Sequence, residues 1–202
     1  MVKYIIFDVM GVIFTVGDDV ENLLVPYVRS LKPETTIQQI KDAYMSASLG
    51  HISSRKLWEL VGFEQTEILT TEHNYLENCF TLDDGFLPCA KALKKRYGIA
   101  LLSNDISEWS KYLREFHRIE PLVDAAFISG DIGVRKPDAK IYRIALEALG
   151  IKPSECVFVD DNPERIEAAS ELGICSILFN REGHGYQGLR VKAFGQLTKL
   201  LI

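Results

Sequence analysis

A short, wholly apolar run, Tyr4-Ile5-Ile6-Phe7, stops abruptly at Asp8. A strand built on such a run has no polar face to give to water, so it needs cover on both sides. A parallel sheet layered between helices provides that cover. The pattern recurs: Lys3–Phe7 is followed by Ile99–Leu102, Val157–Val159 and Ser176–Phe179, with a weaker run at Ala126–Ile128. Amphipathic helical patterns separate them, at Phe86–Tyr97, Ser107–Phe116, Asp138–Leu149 and Pro163–Leu172. In Asp138–Leu149 the residues Ile141, Tyr142, Ala145, Leu146 and Leu149 form one stripe. Pro137-Asp138 is a start signal for this helix and Gly150 a stop; Gly173 stops the following one. Strand and helix alternating through short loops predict an α/β fold around a central parallel sheet.

Residues 15–82 break the alternation. They carry helical patterns at Val20–Ser30, Ile37–Ser48, Ser54–Val61 and Ile68–Phe80, with turns at Gly50 and Gly62 and no convincing strand. A helical insertion over 15–82 is expected, leaving 1–14 and 83–202 to form the core. The aromatics Tyr44, Trp58, Phe63 and Tyr75 are expected to pack inside it. With 202 residues and 47% hydrophobic composition, the chain is long enough to bury such a core without staples. A net charge of -5 and the lack of a basic face argue against nucleic acid as a partner. No segment approaches the roughly 20 apolar residues of a membrane span, and the apolar start meets Asp8 too soon for a signal peptide. The cysteines at 79, 89, 156 and 175 contain no CxxC pair. They are expected to be reduced, with Cys156 and Cys175 as buried thiols, in a cytoplasmic protein.

Ligands of open parallel sheets bind beyond the carboxyl ends of the strands. The residues found there are Asp8; Ser103, Asn104 and Asp105; Arg135, Lys136, Pro137 and Asp138; and Asp160, Asp161 and Asn162. Each type has a task. A carboxylate such as Asp8 can attack phosphorus or carbon and form a covalent intermediate. Adjacent Asp160 and Asp161 repel each other unless a cation sits between them, and they offer hard oxygen ligands to Mg²⁺. Ser103 can bind a phosphoryl oxygen, and Lys136 supplies a point charge to the nucleophile and the transferring group. His51 and His184 lack metal-ligand spacing and are expected at the surface.

Four segments in order, Phe7-Asp8-Val9-Met10-Gly11-Val12-Ile13, Leu101-Leu102-Ser103-Asn104, Arg135-Lys136-Pro137-Asp138 and Val157-Phe158-Val159-Asp160-Asp161-Asn162-Pro163, resemble the motifs of the haloacid dehalogenase-like superfamily. The last of these, with Ala168–Ile174, resembles the branch of sugar-phosphate phosphatases and the N-terminal phosphatase domain of soluble epoxide hydrolase. The resemblance implies a Rossmann-like three-layer core with an α-helical cap between the first two motifs. It also implies a phosphatase that forms an aspartyl-phosphate on Asp8 and acts on a small phosphorylated metabolite. Ser103, Asn104 and Lys136 would bind phosphate. Mg²⁺ would be held by Asp8, the backbone carbonyl of Met10 and Asp161, with Asp160 behind.

One position departs from the family pattern. Relatives usually carry an acid two residues after the nucleophile, which protonates the leaving group and then activates water; here it is Met10. That role is typically worth about 10²–10⁴-fold in rate. Three readings follow: a phosphatase for substrates with good leaving groups, a metal-independent 2-haloacid dehalogenase, or a weakly active homologue that binds a phospholigand or a protein. Arg165 stands where relatives often have Asn or Asp, so an acidic contact to the metal surroundings is expected to be missing.

Overall fold

The computed structural model describes residues 1–183 and 185–202; the expectation for His184 falls outside the described residues. Six parallel strands form one sheet: β1 (Tyr4–Phe7), β2 (Gly98–Ser103), β3 (Ala125–Ile128), β4 (Cys156–Asp160), β5 (Cys175–Phe179) and β6 (Arg190–Val191). Their order is β3-β2-β1-β4-β5-β6. The chain therefore reverses its direction of growth beside β1, which pairs with β2 on one side and β4 on the other. The register sets Phe7 against both Leu101 and Val159. Three strands thus end side by side, and the residues that follow them share one rim.

The period of two along each strand sorts the apolar side chains into two layers. Ile5, Phe7, Ile99, Leu101, Val157 and Val159 belong to one buried cluster. It includes residues of α5 (Phe86–Leu93), α6 (Ser107–Phe116) and α10 (Phe194–Leu201). Ile6, Ala100, Leu102 and Phe158 belong to the other, with α8 (Ala139–Leu149) and α9 (Pro163–Glu171). This is the three-layer, Rossmann-like α/β arrangement. The helix starts are locally encoded: the Asp138 carboxylate caps α8 through the Lys140 amide at 2.8 Å, and Asn162 caps α9 through the amides of Glu164 and Arg165.

Between β1 and α5 lie α1 (Val25–Leu31), entered through a π-helical turn at Val20–Leu24, then α2 (Ile37–Ser48), α3 (Ser54–Leu60) and α4 (Ile68–Asn78). Their apolar side chains continue the sheet's first cluster instead of forming a separate one. Trp58, Tyr75 and Trp109 meet with ring centroids 5.2–5.8 Å apart. The indoles of Trp58 on α3 and Trp109 on α6 both donate to one Glu72 carboxylate oxygen, at 2.8 and 2.7 Å. A single α4 carboxylate thereby ties the inserted helices to the sheet-covering layer.

The structure corrects several sequence expectations. The helix expected over Phe86–Tyr97 ends at Leu93, where the basic residues Lys94–Arg96 turn into β2. Two short elements, α7 (Ser129–Ile132) and the two-residue β6, lack a strong local signature and were not expected; α10 was not expected either, although Phe194, Leu197 and Leu201 form a helical stripe that packs on the core. Cys175 is exposed because it opens β5 outside the covered stretch; Cys156 is buried as expected. All four cysteines are free. No described helix is long and apolar enough to cross a membrane.

Candidate active site

Asp8 follows β1 directly and is 2% exposed. Its Oδ1 accepts from the Val9 amide at 2.7 Å and pairs with the Lys136 ammonium at 2.7 Å, while Oδ2 lies 3.0 Å from the Arg165 guanidinium. Lys136 is itself buried and bridges to Asp160 Oδ2, also at 2.7 Å. Burial, and after it the Asp160 charge, raise the Asp8 carboxyl above its ordinary value, against the pull of Lys136 and Arg165. Oxygens of Asp8, Asp160 and Asp161 lie within 4.8 Å of one another. Burial and then the charges of Asp8 and Asp160 push Asp161 up to about 7.

Three loops hold these groups in place. Asn104, after β2, uses both ends of its amide on the Lys136 backbone: Oδ1 accepts from the Lys136 N–H at 2.7 Å and Nδ2 donates to its carbonyl at 2.9 Å. The expected phosphate contact by the Asn104 side chain would compete with these two bonds. Gly11 and Gly17 approach Asp161 so closely that a Cβ on either would overlap its carboxylate; Gly11 also has φ +78°, which favours glycine. Arg181, after β5, donates to the carbonyls of Gly11 at 3.0 Å and Val12 at 2.6 Å and pairs with Asp83, fastening the loop that follows Asp8.

A cavity of about 370 Å³ opens onto Asp8, and its wall includes Met10, Ser103, Asn104, Asp161 and Arg165. Ser103 Oγ is buried with no hydrogen-bond partner among the described residues, a donor left over for a ligand. Asp105 stands apart: it is buried and absent from this wall. His51 is exposed.

Two features escaped the sequence. Arg165 does more than replace an expected Asn or Asp. The cap at Asn162 turns the first turn of α9 so that its guanidinium lies 3.0 Å from Asp8, 3.6 Å from Asp160 and 4.0 Å from Asp161. Burial opposes its charge, but the three carboxylates outweigh burial and hold the guanidinium protonated above its usual range. Asp18, Asp19, Tyr44 and Arg135 also line the cavity, with Asp19 buried. The doublet Asp18-Asp19, directly after Gly17 and before a helix, was the available signal. The donor set suits a hard divalent cation, since three converging carboxylates repel one another without one. Arg165 already supplies part of that positive charge, so such an ion would have to share the carboxylates with it.

A sequence model of the haloacid dehalogenase-like hydrolases matches residues 2–173. Sesquiterpene phosphatase astK of Aspergillus oryzae is 29% identical over 87% of this chain and 88% of its own length. (S)-2-haloacid dehalogenase 4A of Burkholderia cepacia is 30% identical over 44% of this chain but only 38% of its own. The matches span less than half the length of several curated relatives. Among solved structures, an alanine mutant of a family enzyme from Bacteroides thetaiotaomicron, in complex with magnesium and inorganic phosphate, aligns with a TM-score of 0.75 at 18% identity. It covers 93% of this chain and 98% of its own and, at that identity, shows likeness of fold. Four motif-bearing loops converging on Asp8, the sheet order and the matched span agree: the chain belongs to the haloacid dehalogenase-like hydrolase family.

Proposed function

We propose that this hydrolase is a Mg²⁺-dependent phosphomonoesterase that forms an aspartyl-phosphate on Asp8. The observation that carries the reading is the placement of the Asp8 carboxylate. It is held on three sides by Val9 N–H, Lys136 and Arg165, and it faces a cavity where Ser103 Oγ has no partner. A nucleophile oriented by neighbouring cations, with a spare hydroxyl across the cavity, suits a tetrahedral anion. Asp8 would attack phosphorus and Lys136 would offset charge on the transferring group. Ser103 would donate to a phosphoryl oxygen, with Asn104 steadying Lys136. Asp8, the Met10 carbonyl and Asp161 would hold Mg²⁺, with Asp160 behind them; the ion would lower the repulsion between the nucleophile and an anionic substrate. Residues 15–82 would serve as an α-helical cap over a core of 1–14 and 83–202, and the substrate would be a small phosphorylated metabolite of the cytoplasm.

The test is hydrolysis of an aryl phosphate with and without Mg²⁺, by wild type and Asp8→Asn. We expect turnover that chelation removes and that Asp8→Asn lowers by at least about 10³-fold with the melting curve intact. Wild-type turnover in Asp8→Asn would remove that residue from the mechanism. A second reading has its own support: Arg165 among the carboxylates provides charge without a metal, and Met10 transfers no proton. Halide release from a 2-haloacid in the presence of chelator, with no phosphatase activity, would favour a dehalogenase instead.

A further inference from the structure

Met10 leaves the proposed reaction without a proton donor, and another acid lies on the same cavity wall. Asp18 and Asp19 both precede the π-helical turn at Val20–Leu24, where an aspartate ordinarily caps free amides. Only Asp18 takes that role: its Oδ1 accepts from the Glu21 amide at 3.0 Å. Asp19 caps nothing. Its side chain is turned inward, 6% exposed, and its Oδ2 has no hydrogen-bond partner among the described residues. It lines the cavity together with Asp8, Met10 and Ser103. A buried carboxyl oxygen with nothing to bond, placed where a substrate would sit, is costly unless it carries a proton or meets a ligand.

We propose that Asp19 is the general acid and base that position 10 lacks, giving its proton to the leaving-group oxygen of the phosphate ester and then taking one from the attacking water. The proposal rests on the phosphomonoesterase reading and extends it to esters whose alcohol leaves poorly. In the first step an Asp8 oxygen bonds to phosphorus and the ester P–O bond breaks. The departing oxygen takes the Asp19 proton, leaving alcohol, aspartyl-phosphate and an Asp19 carboxylate. In the second step water adds to phosphorus, its proton passes to Asp19, and the bond from phosphorus to Asp8 breaks. Phosphate, the Asp8 carboxylate and protonated Asp19 result.

The surroundings suit a proton held near neutrality. Burial raises the Asp19 carboxyl to about 7, with Asp18 on its own segment and Asp8 at the end of β1 adding to the rise; its own backbone N–H and Arg135, from the loop before α8, pull the other way. Tyr44 on α2, Tyr75 on α4 and Asp105 after β2 also lie within its field. Only Arg135 among these groups is cationic, and it is engaged with Ser48 and stacked on the Tyr44 ring at 5.6 Å.

The experiment compares kcat/KM for glycerol phosphate, a poor leaving group, with that for p-nitrophenyl phosphate, a good one. In Asp19→Asn the alkyl-to-aryl ratio should fall about 10²-fold, because only the alkoxide needs the proton. With the aryl ester a burst should precede a slower steady state, as aspartyl-phosphate waits for a base. Met10→Asp in the Asp19→Asn background should restore the ratio. If Asp19→Asn does not fold, the wild-type ratio decides alone: it should drop as pH rises through about 7. A ratio unmoved by the substitution, or constant with pH in wild type, overturns the role of Asp19 while leaving the phosphatase reading intact. Wild type that hydrolyses neither ester overturns both.

Discussion

Two acidic clusters adjoin one cavity, with Asp8 and Asp161 of the first and Asp19 of the second on its wall, and they meet the same electrostatic problem in different ways. At the strand ends, Asp8, Asp160 and Asp161 are met by Lys136 and Arg165 at 2.7–4.0 Å. Beside the inserted helices, Asp19 and Asp105 are also buried, yet each keeps one carboxyl oxygen without a partner among the described residues. A buried carboxyl either gains a cation or keeps its proton. In the first, Lys136 and Arg165 pull the Asp8 carboxyl down against burial; in the second, only Arg135 and the residue's own backbone N–H oppose the burial that raises Asp19 to about 7 and keeps it an acid. Chemistry that needs both therefore has them within one pocket, sorted by which loops bring basic side chains.

The largest expected effect comes from breaking the compensation. Lys136 is the buried link between Asp8 and Asp160, so Lys136→Met leaves two enclosed carboxylates facing each other. Removing one partner of a buried ion pair costs roughly 3–5 kcal/mol. Urea unfolding in the presence of chelator should show a loss of that size. A loss below about 1 kcal/mol would mean that the carboxylates find other relief, and the contrast between the clusters would fail.

The second cluster predicts a pH dependence with a definite sign. Folding raises Asp19 from 3.8 to about 7, so the folded chain binds a proton that the unfolded chain has released between those values. The stabilisation is whole below the unfolded value and is lost as pH rises through about 7. Asp19→Asn removes this dependence. Its stability relative to wild type should grow by about 2–3 kcal/mol between about pH 5 and 8. Taking the difference cancels Asp161, which is also pushed up to about 7. A flat difference across that range would show that Asp19 is ionised in the folded chain.

The sequence exposes these two clusters unequally, for physical reasons. The placement of Asp8, Ser103, Asp160 and Asp161 was legible because an apolar run followed by a polar stop is a local signal, and that of Lys136 because it directly precedes the helix start at Pro137-Asp138. The parallel topology then leaves little freedom in where the stops meet: β1 is paired on both sides, so Phe7 sits level with Leu101 and Val159. The roles of Asp18 and Asp19 were not legible. Either could cap the following turn, and which one turns inward depends on packing by elements far along the chain, such as Tyr44 and Arg135. Arg165 was visible as a departure, but its direction follows from the Asn162 cap and the tilt of α9. The two-residue β6 and the exposed Cys175 at the start of β5 depend on where cover ends, which no local pattern records.

The smallest predicted effect sharpens the comparison from the other side. Arg165 reaches the cluster from a partly exposed position, with 21% of its side chain open, so its charge is screened and the side chain has a way out. It would therefore compete with a divalent ion for Asp8 and Asp161 without blocking it. Arg165→Asn keeps a polar group on α9 and removes the like charge. Mg²⁺ binding measured by calorimetry should tighten by about 10-fold, close to 1.4 kcal/mol. The Mg²⁺-induced rise in melting temperature should grow with it. Arg165→Lys retains the charge and should stay near wild type. Equal affinity in all three proteins would show that the guanidinium leaves the carboxylates at no cost. Compensation in the first cluster would then rest on Lys136 and the ion alone.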